Sequence, residues 1–343
     1  MTGAGRYAEL AAAVRSFKAE LIKPHQIERI VESSSLSEAV SVLTGGRVTS
    51  AEGLDLTSVE VILTQKVIEL IERLAAYAPH DSRQLIKLFS FSYELSCVKE
   101  ILRSIIDPID PEEALKHIVP TGKYTAERCK ELIESRNPNR VIETVENESL
   151  KRYLAPKLTG ERSGMTAVLA IDQYYYSKLW AASNLPDPLD SQSARGLIGE
   201  MIDHLNILLA FRARLVGLDV RSASDLLIPV NYALGHALDE IVESTTLQNL
   251  LRILEKTRYA KVFQGTTTLD GGAAGVELAL NRNLSISCLN AFAGSPFNVG
   301  LALAFIFLKN YELRDIFAII NGKANNLPMD RIFDSLILNA AQV

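Results

Sequence analysis

The sequence has few cysteines and histidines, and neither residue type is arranged as disulfide or metal sites require. The three cysteines, Cys97, Cys129 and Cys288, are odd in number and far apart. This usage favours a reducing compartment, with each thiol serving as a small core side chain. The five histidines form no His-x-x-His pattern. We therefore expect no disulfide framework, no bound metal ion and no cofactor.

Long apolar runs are also missing. The longest, at 299–308, has ten residues, whereas a membrane-spanning helix needs roughly 20. The N-terminal segment has Arg6 and Glu9 among its apolar residues, which is not typical of a signal peptide. We expect a cytosolic protein, or one held peripherally at a membrane.

The chain lacks the charge pattern of a nucleic-acid-binding protein. It has 36 Lys and Arg against 41 Asp and Glu, a net charge of −5, with both signs mixed and no basic stripe. A phosphate-binding G-x-x-x-x-G-K-[ST] loop is absent as well. The Gly-rich stretch at 270–275 has no Lys after it and follows no predicted strand. We expect neither a nucleic acid partner nor a small-molecule substrate.

What the sequence does contain is helical periodicity. Alternating β-branched residues are scarce, while Leu, Ala, Ile, Glu, Lys and Arg recur at helical spacing. Hydrophobic residues make up 48% and charged residues 22%, which is ordinary for a packed protein. The predicted fold class is all-α. At 343 residues, the length suggests two or three units.

One pattern occurs three times: a long helix, a break, and a shorter helix that ends near the close of the unit. The copies are 93–120, 199–229 and 311–337. Aligning Leu95, Leu205 and Leu313 gives two nearly equal spacings, each close to one third of the chain. Repetition at this distance indicates a repeated structural unit, and this interpretation is considered before any catalytic one. It predicts three helical units, 1–120, 121–230 and 231–343.

The rest of each unit also repeats. Shorter helices are predicted at 7–22, 27–32, 31–43, 131–145 and 242–254. Stretches rich in Gly, Thr and Ser follow, at 44–55, 155–164 and 264–275. Long helices come next, at 56–78, 165–183 and 276–292, and each ends at a Pro-containing turn.

Arg212 stands out in this alignment, because it falls on the predicted buried stripe of its helix, where the other copies have Leu102 and Ile320. A buried guanidinium requires a partner. Asp172, on the preceding long helix, is our candidate. The favoured interpretation is a structural ion pair, and the alternative is an anion or substrate site.

A second group of polar residues, Glu200, Asp203 and His204, lies within about one helical turn. The first copy has Phe91 or Tyr93 at the aligned places and the third has Lys309 or Tyr311, which indicates that the group is not part of the repeat. No Glu-x-x-His pair recurs on facing helices. We expect no metal site here. An all-α enzyme using Asp172, Asp203 and Arg212 is an alternative that metal analysis would test.

Several of these stretches carry a family resemblance. The central motifs are DQYYYSKL at 172–179, IDHLN at 202–206, RAR at 212–214 and LIP at 227–229. Four further motifs match the C-terminal unit of the same family: PF at 296–297, FI at 305–306, KNYELR at 309–314 and IINGK at 319–323. The N-terminal unit is matched more loosely, by Tyr7, VR at 14–15 and SLSEAV at 35–40. Together they resemble the C subunit of archaeal and V-type rotary ATPases, whose eukaryotic counterpart is the d subunit.

The resemblance implies a funnel of three helical units around a pseudo-three-fold axis. It further implies a non-catalytic rotor subunit between the membrane proteolipid ring and the D and F subunits of the central stalk. In this role it couples ion transport to ATP synthesis or hydrolysis. Such a protein is peripheral, at the cytoplasmic face of the cell membrane.

The breaks inside the repeated unit are candidate partner contacts if the three-fold arrangement holds. The residues concerned are Pro108, Gly217, Asp219, Gly322, Lys323 and Asn325. Ordinary surface turns are an equal interpretation. A helical-repeat adaptor that binds other proteins is the alternative function, although solenoid repeats run about 20 to 50 residues, far below this period.

Overall fold

We obtained the structure as a computed structural model, which describes residues 3–33, 35–43, 56–158, 163–264 and 271–338. Every regular element of this part of the chain is a helix, and Thr121 and Tyr124 form an isolated antiparallel bridge. The all-α prediction is confirmed. The predicted loose stretch at 44–55 lies outside the described residues, as do parts of the other two.

The helices follow the chain in three series. The first contains α1 (Gly3–Ala19), α2 (Pro24–Glu32), α3 (Leu36–Leu43), α4 (Leu56–Tyr77), α5 (His80–Ile106) and α6 (Pro111–Leu115). The second contains α7 (Ala126–Glu134), α8 (Pro138–Glu143), α9 (Glu148–Leu154), α10 (Ser163–Ala182), α11 (Pro188–Leu215) and α12 (Val220–Leu226). The third contains α13 (Ala237–Glu243), α14 (Leu247–Leu254), α15 (Gly272–Ala291), α16 (Val299–Ala324) and α17 (Met329–Ser335). Two 3-10 helices lie at Ala155–Lys157 and Ala260–Phe263.

Two long helices stand side by side in each series. The first long helices, α4, α10 and α15, agree closely with the predicted spans and are confirmed. The second long helices, α5, α11 and α16, start earlier than the repeat suggested and have 27, 28 and 26 residues. Pro188 is the first residue of α11 and Pro79 directly precedes α5, which suits the preference of proline for helix starts, whereas Pro296 lies in the turn before α16.

The ends of α11 and α16 share one geometry. Gly217 has φ +70°, and Leu218 N–H donates to Ala213 O at 2.9 Å. Asn326 has φ +54°, and Leu327 N–H donates to Gly322 O at 2.8 Å. These are Schellman-type ends, which need a residue tolerant of left-handed geometry. The predicted breaks at these two positions therefore have a local cause.

The packing of the second long helices follows a rule. Helix α5 packs on α10 and on the short helices α7 and α8 of the following series. Helix α11 packs likewise on α15, α13 and α14. Helix α16, the last of the three, packs on α4, α2 and α3 at the start of the chain. The final series thus contacts the first.

The main hydrophobic core is shared by all three series. A single cluster of buried side chains extends from Tyr7 to Leu338 and draws on most of the long helices. Smaller clusters lie between α11 and α13–α15, and between α2, α3, α16 and α17. The predicted units therefore share buried apolar surface instead of each enclosing a core of its own. No helix among the described residues is long and apolar enough to cross a membrane.

Candidate functional site

The first two predicted contact turns are exposed. Pro108 lies on the surface after α5, and Gly217 and Asp219 lie on the surface after α11. The Asp219 side chain accepts hydrogen bonds from the N–H and hydroxyl of Ser222, at 2.9 and 2.7 Å, so it caps α12. These residues are accessible, and Gly217 and Asp219 also shape the local backbone.

The third turn differs from the prediction at two residues. Gly322 lies inside α16 and is buried, and a Cβ there would be 2.8 Å from Ile332 Cγ1. It is therefore a packing position and cannot contact a partner, because its missing side chain makes room for α17. Lys323 is half-buried and donates from Nζ to Ser33 O at 2.6 Å, whereas Asn325 is exposed.

Exposed apolar side chains recur at these turns. We define the break turns as residues 106–113, 215–222 and 324–331, which recur at equal steps along the sequence. The exposed apolar side chains they contain are Ile106, Ile109, Leu215, Val216, Val220, Leu327 and Met329. The same windows hold six carboxylates and two arginines. Each break turn thus combines accessible apolar surface with at least one carboxylate.

The repeat is marked by three buried side chains, which we name the segment anchors: Cys97, Asn206 and Asp315. They are equally spaced in the sequence, since the step from 97 to 206 is as long as the step from 206 to 315. Each is bonded to the segment that begins 22 residues later, after the short helix. The repeat therefore has a physical counterpart in equivalent contacts made by different side chains.

The three segment anchors use different chemistry. The Cys97 thiol donates to Val119 O at 2.8 Å. Asn206 accepts from Ile228 N–H at 2.9 Å and donates to Ile228 O and Val230 O, both at 3.1 Å. Asp315 accepts at 2.7 Å from the N–H groups of the two residues that follow Leu336. Burial raises the pKa of Asp315 to about 6, against the opposing effect of these two hydrogen bonds.

A second repeated position holds the linking carboxylates, Glu94, Asp203 and Glu312, which recur at the same step as the segment anchors. Asp203 accepts from the N–H groups of Tyr232 and Ala233 at 3.2 and 2.8 Å. Both donors lie at the start of the third predicted unit. Burial raises the pKa of the Asp203 carboxyl.

The other two linking carboxylates also face the following series. Glu312 accepts from Ile22 N–H, which lies near the beginning of the chain. Glu94 Oε1 lies 3.6 Å from where a Cβ would stand on Gly122. The interpretation that Asp203 is not part of the repeat is therefore wrong. With equal steps along the chain, His204 corresponds to Leu95, and the register differs by one residue from the alignment of Leu205 with Leu95.

The same one-residue shift in register explains why Arg212 is exposed and not buried. With equal steps, Leu102 and Ile320 correspond to Phe211, which is buried, and Arg212 falls on the outer face with 52% of its side chain exposed. The buried guanidinium predicted from the sequence does not exist. Arg212 instead donates to Glu277 Oε2 at 2.7 Å on the surface.

Asp172 has another partner as well. Its Oδ1 accepts from Lys99 Nζ at 2.7 Å, which joins α10 to α5. Glu277 also accepts from Arg314 at 2.8 Å, so it links α11 to α16 through two guanidinium groups. The predicted Asp172–Arg212 pair is replaced by these separate ion pairs, each of which joins two long helices.

Glu200 and His204 lie in a buried polar contact between α11 and α15. Glu200 accepts from Asn283 Nδ2 at 2.7 Å and from Ser287 Oγ at 3.0 Å. Burial lowers the pKa of His204 to about 3, assisted by the positive charge of Arg258, so its ring is neutral. Within the described ranges, no group of three or more His, Cys, Asp or Glu side chains could hold a metal ion.

The N-terminal ends of the three second long helices meet at a point that the sequence did not reveal. We name it the apical cluster, formed by Tyr7, Ser82, Asp190 and the N–H of Val299. The Tyr7 hydroxyl donates to Asp190 Oδ2 at 2.7 Å and lies 3.3 Å from Ser82 Oγ. Asp190 Oδ1 accepts from Val299 N–H at 3.0 Å. Partners up to 183 residues apart leave no local sequence signal.

Comparison with known proteins gives consistent matches over nearly the whole chain. The family model described as ATP synthase (C/AC39) subunit matches residues 10–334. The C subunit of the A-type ATP synthase of Methanocaldococcus jannaschii is 24% identical, covering 96% of this chain and 86% of that protein. The proteins of the same name from Methanobrevibacter smithii and Pyrococcus horikoshii are 25% and 23% identical, covering 96% and 90% of this chain and 88% and 84% of those proteins.

Proposed function

Because the chain belongs to the ATP synthase (C/AC39) subunit family, we propose that it is a central-stalk rotor subunit of an A/V-type ATP synthase. In this proposal it joins the membrane proteolipid ring to the D and F subunits of the central stalk. It transmits rotation between ion transport and ATP synthesis or hydrolysis, and it performs no chemistry itself. It lies peripherally at the cytoplasmic face of the membrane. The observation that carries the proposal is the family match over residues 10–334.

We further propose that the three helical units surround a pseudo-three-fold axis. The packing rule of the second long helices supports this, because α16 contacts the first series as α5 contacts the second. The linking carboxylates support it too, since Glu312 reaches Ile22 as Asp203 reaches Tyr232. An arrangement of equal units about an axis suits a partner that is itself a ring.

A rotor element must also resist deformation. Buried hydrogen bonds at the segment anchors tie each second long helix to the segment after its short helix. Ion pairs such as Lys99–Asp172 join one long helix to another. A close-packed interior shared by all three series transmits strain instead of absorbing it. These contacts fit the transmission of torque.

The break turns are our proposed partner-contact surface on this protein. Their exposed apolar side chains recur in all three series, with Val216 the most exposed at 72%. Apolar side chains surrounded by polar ones are typical of protein interfaces.

Affinity purification of the full tagged chain from solubilised membranes tests the function. We expect the proteolipid and the nucleotide-binding subunits to copurify. Recovery of neither, with other proteins bound instead, would favour the adaptor function and reject the rotor assignment.

A variant with Ser at Ile109, Val216 and Leu327 tests the proposed surface. We expect recovery of at least one neighbouring subunit to fall tenfold or more, because each lost apolar contact weakens binding. The matched control places Ser at Ile62, Met165 and Ile286, which are exposed apolar residues outside the break turns. Equal recovery from both variants would reject the break turns as the contact surface.

A further inference from the structure

The first series contains a pair of short helices that pack mainly on the last series. Helices α2 and α3 contact each other and also α16 and α17, at the end of the chain. They have nine and eight residues, and helices of this length are not stable alone in water. Their structure therefore depends on the surface that they cover. We name this pair, residues 24–43, the N-terminal strap.

The strap is attached through two small apolar clusters. In the first, its buried side chains meet the C-terminal half of α16 and the helix α17. The members of this cluster are Ile27, Ile30, Val31, Ala39, Ile319, Ile332 and Leu336. A second cluster joins Val40 of α3 to α4 and α16. None of the described residues at 24–43 belongs to the main core.

The corresponding short helices of the second series are attached differently. Helices α7 and α8 pack on α5 as the strap packs on α16. Their buried side chains, such as Leu132 and Val141, belong to the main core. Separating α7 and α8 from α5 would therefore disturb the core that all three series share. The strap can leave α16 without breaking that core.

Two charged side chains of α16 hold α2 at its two ends. The Glu312 carboxylate accepts from Ile22 N–H, two residues before α2 begins. The Lys323 ammonium donates at 2.6 Å to the C=O of Ser33, which caps the C-terminal end of α2. A helix is partly positive at its N-terminal end and partly negative at its C-terminal end. Each charge thus has the sign that suits the end it contacts.

The contact at the C-terminal end of α2 is not reproduced at the corresponding positions of the other two series. With equal steps, Lys323 corresponds to Ile105 and Arg214. Ile105 carries no charge, and Arg214 donates to Leu218 O of its own turn at 3.0 Å. Attachment of a short helix by charges at both ends is therefore a property of the junction between the last series and the first.

We propose that the N-terminal strap opens as a unit while the rest of the chain stays folded, and that Glu312 and Lys323 keep it closed. Opening costs two small apolar clusters and two charged contacts, and it leaves the main core intact. When the strap opens, Ile319 and Ile332 lose the side chains that cover them. These two residues lie on either side of the third break turn in the sequence. The strap is thus a cover whose position sets how much apolar surface the molecule presents beside this turn.

Thiol labelling of the full chain measures the opening. Val31→Cys places a thiol on α2, and Val141→Cys places one on α8 as the matched control, because both valines are fully buried. We expect a water-soluble disulfide reagent to modify the Val31→Cys thiol at least tenfold faster than the control thiol, since the strap opens without global unfolding. The natural chain, whose three cysteines are buried, provides the background rate. Equal rates for the two introduced thiols would overturn the proposal.

A second substitution tests whether charge keeps the strap closed. Lys323→Gln in the Val31→Cys chain is expected to raise the labelling rate at least fivefold, because a hydrogen bond from a charged donor is lost. Arg314→Gln is the control, since Arg314 lies on the same helix and pairs with Glu277 instead of the strap. Thermal unfolding verifies that all variants fold. If the two substitutions change the rate equally, Lys323 does not hold the strap and the proposal fails.

Discussion

At the scale of single residues, the segment anchors show how one structural task is met by three side chains. Asn206 satisfies both N–H and C=O groups of its segment, whereas Asp315 accepts from two N–H groups and Cys97 donates to one C=O group. The carboxylate is the costly choice, because its charge is buried with only two N–H groups to stabilise it. The third anchor is therefore the one that responds to pH.

The stability contributed by Asp315 is expected to fall as the pH rises. Its folded-state pKa of about 6 exceeds the ordinary value of 3.8, so the folded protein binds this proton more tightly than the unfolded chain. The contribution is fully present below about pH 4 and is lost as the pH rises through about 6. Urea unfolding from pH 4.5 to 7.5 measures this as a declining free energy difference between the natural chain and Asp315→Asn. Asp330→Asn, on the surface, is the control, and a difference that stays level over this range would contradict the prediction.

Single residues also mark the limit of what the sequence could provide. Leu95, Leu205 and Leu313 match one another in sequence pattern, but the buried stripe of α11 contains His204 and Phe211. A histidine at a core position makes the register hard to recognise from sequence, because it fills the buried position although it is not an apolar residue. The one-residue shift in register led to two wrong predictions. Arg212 was expected to be buried, and Asp172 was expected to be its partner.

At the scale of helices and turns, prediction from sequence was more successful. The first long helices were located to within about five residues, since periodicity and flanking Pro or Gly residues are local signals. The second long helices were longer than the repeat suggested. Their N-terminal halves differ among the three series, because each packs against different neighbours around the apical cluster.

Substitutions at two glycines, one within α11 and one at its end, test whether the left-handed backbone at Gly217 ends the helix. Gly217→Ala should lower the free energy of unfolding by about 1 kcal/mol, because φ of +70° is strained for any residue with a Cβ. Gly196→Ala, within the helix and with no atom within 4 Å of the new Cβ, should instead raise it by roughly 0.5–1 kcal/mol. Chemical denaturation of both variants provides the comparison. Equal effects of the two substitutions would show that the left-handed position does not define the break.

At the scale of the whole molecule, the apical cluster joins elements from every series through few atoms. Tyr7 of α1 contacts Ser82 of α5 and Asp190 of α11, and Asp190 caps the start of α16. Such contacts link residues that neither periodicity nor motif spacing could associate. For this reason the sequence predicted the units but not the point at which their long helices meet.

A double-mutant cycle measures the strength of this junction. Tyr7→Phe and Asp190→Ala, alone and together, should reveal a coupling of about 1.5–3 kcal/mol, because a buried hydrogen bond to a carboxylate is lost. Arg6→Ala and Asp81→Ala form the matched cycle, since they link the same first helix to α5 on the surface. Their coupling should stay below about 1 kcal/mol. A junction coupling no greater than the surface one would show that the apical cluster does not tie the series together.

The contact between the first helices and α16 has a consequence during synthesis on the ribosome. Ile22 and Glu312 are 290 residues apart, which at about 5–20 residues per second corresponds to roughly 15–60 s of translation. Throughout that interval Ile27, Ile30 and Val31 have emerged without Ile319 and Ile332, with which they pack in the finished protein. The apolar face of α2 is thus synthesised early and is covered only after α16 and α17 have been made.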